Sequence, residues 1–390
     1  MKSRTIYPLL ENAFNKSDIK EAQKVINTQQ LTMSAITSKF EKEFAKYFGS
    51  KYAVMVNSGS SANLLSVFVA KYLHKIKNND EAIIPSVCWS TSLWPIVQAG
   101  LKPVFVDVNL KNYNASIDQI ISKINRKTKL IMLVHVLGTS IDILRLKKKI
   151  KGKKIVIIED TCESLGAKLN NKYLGNFGDF ASYSFYYSHQ ITCGEGGMVT
   201  TNSKKNYNLL KIMRAHGWDR DLDKKNKKNF NFVNMGFNLR PLEVSAAIAS
   251  NQLKRLKSFA LARDLNRQNI IKNLKRHKKW DNQFSFVEPE KNVSPSWFGL
   301  PMLITKKYLK FKKKIIKNLN NKGIETRPII SGNFLNQKAA TIYKLKNKKD
   351  YFPNADYIEK AGFFIGLHTK PTSKKKIEIL SNELLSIKID

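Results

Sequence analysis

His189 stands five residues after Ser184 in GDFASYSFYYSHQITCGEGGMVTTN, which turns on the glycines at 194–197 before another strand-like run. A free imidazole titrates at about pH 6.5, so a histidine at a strand end can give or take a proton near neutral pH. An isolated histidine is usually structural. Asp160 closes the apolar run VIIED, and Glu163 follows three residues later. A carboxylate at the end of an apolar strand needs a partner, either a lysine or the protonated nitrogen of a heteroaromatic ligand. The third segment is NSGSSANL, residues 57–64. Gly59 permits a tight turn there. Ser60 and Ser61 offer hydroxyls and N–H groups where a helix opens, an arrangement that either holds a phosphate or simply caps the helix. The three segments in this order are more specific than any one of them.

Such groups work only if a scaffold brings them to one edge. From residue 52 to about 200, short apolar runs (YAVMVN, EAIIP, KPVFVDV, KLIMLVHV, KIVIIED) alternate with helical stretches. Near-continuous apolar strands separated by helices imply a mainly parallel sheet covered on both faces, with right-handed crossovers. In such an α/β sheet, ligands bind beyond the carboxyl ends of the strands, where all three segments lie. The first 50 residues read as two helices, each starting at a serine that can cap it (Ser17 and Ser34). A long helix is expected over RPLEVSAAIASNQLKRLKSFALARDLNRQNIIKNL, with Pro241 in its first turn. From about 280 a smaller α+β unit follows: a strand at SWFGLPMLI, a helix over 306–320, and an edge strand at ETRPII, since Pro328 cannot donate to a ladder. The expected organisation is therefore an N-terminal helical segment (1–50), a large α/β domain (51–279) and a small α+β domain (280–390).

The net charge of +38 invites a polyanion partner, while an apolar fraction of 42% marks a globular chain. The lysines, however, fall in short clusters along the whole chain: 146–154, 223–228, 306–322 and 344–349. They interleave with apolar residues at helical spacing, as solvated helix faces do, and no nucleic-acid module accompanies them. No nucleic-acid partner is expected. No run approaches the roughly 18 apolar residues of a membrane span, and the N-terminal residues lack the apolar core of a signal peptide. Cys88, Cys162 and Cys193 are dispersed, odd in number and without metal-ligand spacing, which points to a reducing, cytoplasmic setting and to no metal site.

The segments SGSSANLL, AIIPSVCWSTSLWPIVQAGLKPVFVDV, IIEDTCESLGA, SYSFYYSHQITCGEGGMV, GFNLRPLEVSAA and ETRPIISGN resemble the DegT/DnrJ/EryC1/StrS family, from about residue 20 to the C-terminus. The resemblance implies a fold type I pyridoxal phosphate enzyme of nucleotide-sugar metabolism. One position departs from the aminotransferases of that family. Their cofactor-binding lysine after YSF is replaced here by His189, and no lysine occurs between 184 and 197. This exchange is similar to the sugar 3-dehydratase branch, as are MRAHGWDRD and RPIISGNF. One version of that branch carries a [2Fe–2S] cluster, which needs about four cysteine ligands, more than this chain has. The resemblance therefore implies the cluster-free version, acting on GDP-linked 4-keto-6-deoxymannose with glutamate as amino donor, in deoxysugar and surface-polysaccharide synthesis.

Carried over residue by residue, the resemblance implies that Ser60, Ser61 and Ser184 hold the cofactor phosphate, with Gly59 allowing close approach. Trp89 would stack on the ring, unless it is a core aromatic. Asp160 would pair with the ring nitrogen and Glu163 lie near the ring hydroxyl. Asn238 would reach the phosphate from a neighbouring subunit, which implies a homodimer. His189 would be the acid/base, neutral at working pH. His216 and Arg220 are candidates for binding glutamate or the sugar, and Arg327 for a substrate anion. The alternatives are an aminotransferase using another lysine (Lys168 and Lys172 are the nearest), a non-catalytic cofactor-binding relative, and a polyanion-binding protein.

Overall fold

The computed structural model describes residues 5–11, 14–32, 34–222, 230–347 and 350–386. The lysine cluster at 223–228 and the end of the one at 344–349 lie outside them. Helices α1 (Lys16–Thr28) and α2 (Ala35–Phe48) lead into the large sheet. The cap of α1 is Asn15, not Ser17. Asn15 and Asp18 exchange the reciprocal bonds of a capping box, two residues before the serine. Ser34 occupies the N-cap of α2, but its hydroxyl makes no capping bond. The Glu243 carboxylate accepts from the N–H groups of Ser34 (2.8 Å) and Thr37 (3.0 Å) instead.

The large sheet contains β1 (Tyr52–Val56), β2 (Glu81–Pro85), β3 (Lys102–Val106), β4 (Thr128–Val134) and β5 (Val156–Asp160). A hairpin of β6 (Lys168–Leu169) and β7 (Lys172–Tyr173) intervenes before β8 (Phe180–Ser184) and β9 (Gly197–Thr201). The order is β1-β9-β8-β5-β4-β2-β3. Neighbours from β8 to β3 pair in parallel, whereas β9 runs antiparallel to both β1 and β8. The carboxyl ends of β1, β2, β4, β5 and β8 therefore share one edge. Helices α3 (Gly59–Leu73), α4 (Ser90–Gln98), α5 (Ile117–Lys123) and α6 (Ile143–Lys149) connect these strands. Apolar side chains of both sheet faces form the core, and β5 is buried along its whole length. That burial explains why its run reads as continuous rather than alternating.

After α7 (Lys204–Arg214), the expected long helix is two: α8 (Glu243–Leu253) and α9 (Leu256–Arg276). Pro241 lies before the N-cap Leu242 rather than in the first turn. The small unit holds β10 (Phe284–Phe286), β11 (Val293–Ser294), β12 (Gly299–Ile304), α10 (Lys312–Asn321), β13 (Thr326–Arg327), α11 (Lys338–Ile342), α12 (Pro353–Ala361), β14 (Gly362–Gly366) and α13 (Lys374–Leu384). Its antiparallel sheet runs β10-β12-β14-β13, with the proline-flanked β13 at the edge, while β11 pairs with the β6–β7 hairpin. The segment 306–311 is a 3-10 helix before α10 begins, where one helix was expected.

The small unit is fastened to the site edge. Asp107, just past β3, accepts from the N–H groups of Asn354 (3.0 Å) and Ala355 (2.9 Å), capping α12 from another part of the chain. The Ser331 hydroxyl donates to the carbonyl of Cys88 (2.6 Å) and Phe334 N–H to that of Ser86 (2.8 Å), both just past β2. Among the described residues, no helix is long and apolar enough to cross a membrane.

Candidate active site

The segments after β1, β5 and β8 converge. A Cβ added to Gly59 would lie 2.5 Å from the Cβ of Ser184 and 3.1 Å from the sulfur of Cys162, so only glycine lets the start of α3 sit against both strand ends. Ser58 is the N-cap of α3 and accepts from Ser61 N–H (3.1 Å). The exposed Ser60 hydroxyl reaches only Thr91 (3.1 Å), and Ser61 donates to Asn57 (2.6 Å). A helix start lined by hydroxyls and facing solvent fits a phosphate.

Asp160 is buried at the end of β5. One oxygen accepts from Asn63 Nδ2 (2.8 Å) and Ser92 Oγ (2.7 Å), the other from Cys162 N–H (3.2 Å). Among the described residues, no cation pairs with it, so the lysine alternative falls away. A buried carboxylate oriented by neutral donors suits the protonated nitrogen of a pyridine ring. Neither Asn63 nor Ser92 was singled out in the sequence. The available signal is that each is a polar residue within the first turns of an otherwise apolar helix.

Glu163 accepts from Leu137 N–H (3.0 Å). Burial, and secondarily the charge of Asp160, against the opposing Leu137 bond, push its carboxyl up to about 7. The backbone of Leu137 is left-handed (φ 49°), which aims that N–H at the carboxylate.

His189 lies in the turn after β8. Its ring meets the edges of Phe298 (centroids 5.1 Å apart) and Tyr186 (6.0 Å), and its Nδ1 is buried without a hydrogen-bond partner. Burial, with a contribution from Arg263, pushes its pKa down to about 3. The ordinary imidazole value invoked from the sequence does not apply, because the turn packs the ring away from water. The ring is neutral throughout the neutral range, and its Nδ1 makes no hydrogen bond among the described residues.

Trp89 is 56% exposed at the N-cap of α4, so it is not a core aromatic. Asn238 is exposed and accepts from Arg240 Nε (3.0 Å). The adjacent Leu239 carbonyl accepts from Asn57 N–H (3.0 Å), which links this strip to the α3 start. His216 is exposed, with a left-handed backbone (φ 62°). Arg220 stacks on Trp218 (4.8 Å) and lies 3.4 Å from Asp221. Among the described residues, no hydrogen bond or ion pair joins either of them to Asp160 or His189. Arg327 is exposed on edge strand β13, donates to the Thr326 carbonyl (3.1 Å) and makes no ion pair among the described residues.

The arrangement fits a phosphorylated pyridine cofactor on three counts: the cradle only Gly59 can form, the buried carboxylate without a cation, and the unpartnered nitrogen of His189. Comparison with known proteins agrees. The profile of the DegT/DnrJ/EryC1/StrS aminotransferase family matches residues 12–382. The GDP-4-keto-6-deoxy-D-mannose 3-dehydratase of Escherichia coli O55:H7 is 39% identical over 375 residues, covering 93% of this chain and 95% of that protein. A solved structure of the Escherichia coli enzyme with bound hydrated PLP superposes with a TM-score of 0.90 at 37% identity, covering 97% of this chain and 99% of the other. A second structure of such an enzyme, holding a trapped PLP-glutamate geminal diamine, superposes nearly as well (TM-score 0.89, 37% identity, 97% and 100% covered).

Proposed function

The chain belongs to the DegT/DnrJ/EryC1/StrS aminotransferase family, and within it we propose that it removes the C3 hydroxyl of a nucleotide-linked 4-keto-6-deoxyhexose, using pyridoxal phosphate and glutamate. The substrate we assign is GDP-4-keto-6-deoxymannose, after the relatives that share most of this chain's length. The observation that carries the reading is His189: a neutral imidazole with a free nitrogen, in a segment without lysine.

Bound as pyridoxamine phosphate, the cofactor supplies an amine for the C4 ketone and a ring that accepts an electron pair. The chain's own residues bind and steer. Ser60, Ser61 and Ser184 hold the phosphate at the start of α3, and Trp89 covers one ring face. Asp160 keeps the ring nitrogen protonated, held in line by Asn63 and Ser92, and Glu163 faces the ring hydroxyl. His189 accepts the proton whose removal expels the C3 hydroxyl, and its neutral form suits a base. A lysine at this position would hold the cofactor covalently and favour plain amino transfer. The sugar loses one oxygen, glutamate becomes 2-oxoglutarate, and ammonia is released, so atoms and electrons balance over the two halves.

Arg327, without an acidic partner among the described residues, is assigned to a substrate anion. His216 and Arg220 are assigned to substrate contacts from the rim. The exposed Asn238 is assigned to the phosphate of a second subunit, which makes the working form a homodimer, and the setting is cytoplasmic. We place the domain divisions after residues 50 and 279. The test is incubation with glutamate and a panel of nucleotide-linked 4-keto-6-deoxyhexoses, with products read by mass. The expected outcome is 2-oxoglutarate, ammonia and a sugar lighter by one oxygen. An amino sugar as the product would overturn the reading, as would borohydride trapping of the cofactor on any lysine.

A further inference from the structure

Glu159, beside Asp160, points the opposite way along β5 and is completely buried. One oxygen accepts from Gly175 N–H (2.8 Å) and lies 3.2 Å from His135 Nε2, while the other accepts from the N–H groups of Phe177 (2.7 Å) and Gly178 (2.6 Å). A carboxylate ringed by three backbone donors is an acceptor, so Nε2 of His135 carries the proton in this pair. Burial alone would push the carboxyl up. His135 and the N–H groups more than offset it and hold the group below its ordinary range, hence ionised.

His135 follows β4 directly and is itself buried. Its N–H donates to the Asp160 carbonyl (3.0 Å) and its carbonyl accepts from Ser164 Oγ (2.7 Å). Two residues on, Leu137 donates its N–H to Glu163, and Gly138 donates to Ser164 Oγ (3.2 Å). The short turn 135–138 thus brackets Asp160–Ser164 at both ends. The side chain of His135 ties this turn to the buried Glu159.

We infer that His135 and Glu159 form a positioning pair that fixes the 135–138 turn and, through it, the Leu137 N–H received by Glu163. The two side chains bond to each other and to backbone N–H groups, not to the side chains assigned to the cofactor. The pair acts through Glu163, and the inference rests on the placement of Glu163 in that site. Without the anchor, the left-handed Leu137 loses its aim and Glu163 loses the bond that favours its charged form. The titratable groups that act on Glu163 are Asp160 and Cys162, both on its own segment. Gln190, from the turn after β8, is neutral and donates to the Glu163 carbonyl. None supplies a compensating cation.

The test is the titration of the Glu163 carboxyl, followed by carbon-13 NMR in the full chain labelled in glutamate and assigned by Glu163→Gln. In the unaltered chain the midpoint is expected near 7. In His135→Phe, similar in volume but without the donor, it is expected to rise by about one pH unit, the worth of one hydrogen bond to a charged group. In His135→Gln, whose amide can donate from the same place, it is expected to return. Glu159→Gln turns an amide donor toward backbone donors and is the variant at risk of misfolding, so the histidine pair carries the test. A purely structural role would lower the melting temperature of folded His135→Phe and leave the midpoint where it was, which would overturn the inference. So would an ordinary carboxylate midpoint in the unaltered chain. The measurement needs no turnover, so it stands or fails separately from the proposed reaction.

Discussion

Asp160 ends β5 and His189 lies in the turn after the neighbouring β8, and the protein treats them in opposite ways. Three neutral donors reach the carboxylate of Asp160 before any ligand arrives. His189 is walled by Phe298 and Tyr186 and its Nδ1 is given nothing. The contrast separates two kinds of task. A group that must hold a fixed charge at a fixed point is best braced by the scaffold. A group that must accept a proton and return it needs a nitrogen that the scaffold has not already bonded. The sharpest way to break this comparison is His189→Asn, which keeps a polar side chain but no base. Turnover is expected to fall by about 10²–10⁴-fold, the usual contribution of a positioned acid or base. Binding of pyridoxamine phosphate, followed by fluorescence, is expected to change little. If binding fell as steeply as turnover, His189 would belong with the bracing residues.

Asp160→Asn attacks the other side. It keeps the shape and the bonds to Ser92 and Cys162 but removes the charge that holds a ring proton. Losing one charge-assisted hydrogen bond of about 1.5–3 kcal/mol corresponds to roughly 10–150-fold. Here cofactor affinity and turnover are expected to fall together, and the absorption band of the bound cofactor to shift. A drop in turnover with both affinity and spectrum unchanged would count against the assigned partner.

Acid titration sharpens the same contrast without a ligand. His189 binds its proton only near pH 3 when folded but at about 6.5 when unfolded. The unfolded chain therefore holds more protons between these values, and the native state loses stability as pH falls through that window. Glu163 has the opposite sign. Its carboxyl, raised to about 7, keeps a proton that the unfolded chain gives up near 4.5, so its contribution is present below that range and lost as pH rises through 7. Melting temperatures across pH 3–8 are expected to be less acid-sensitive in His189→Asn and less alkali-sensitive in Glu163→Gln. Pyridoxamine phosphate binding is expected to weaken above about pH 7 as Glu163 gains charge, and Glu163→Gln to abolish that step.

The extent to which this site is readable along the chain follows from how local each feature is. Asp160 is marked by the end of an apolar strand, and the helix start at Gly59 by small and hydroxyl residues in sequence. Those signals are local, and the parallel sheet then carries both segments to one edge. The bracing is not local. Asn63 and Ser92 reach Asp160 from two different helices, and Glu159 closes on His135 and on a loop beyond the next hairpin. The value of His189 depends on Phe298 and Arg263, both distant in the chain, so nothing within its own segment foretells a pKa near 3. Local rules also failed where a distant partner intervened, as when Glu243 took over the capping of α2 from Ser34.

The smallest expected effect separates the site from the rest of the charge. In the lysine-rich stretch 306–322, Lys310, Lys313 and Lys317 line an open surface cleft of about 1070 Å³ beside Leu309 and Ile316. Solvent screens such exposed cations within roughly one Debye length of about 8 Å. None of the three hydrogen-bonds to a residue assigned to the site. Replacing all three with alanine is expected to leave kcat and KM within about twofold, since surface substitutions away from special features shift free energies by only about 0.5 kcal/mol. Arg327 is as exposed and as cationic, yet Arg327→Ala is expected to raise KM for the nucleotide sugar about tenfold or more with kcat little altered, the mark of a binding contact shared by ground and transition states. Steady-state kinetics on the two variants decide between position and charge. Equal losses in both would mean that the +38 field as a whole draws in the anionic substrate, and added salt would then weaken turnover in the unaltered enzyme as well.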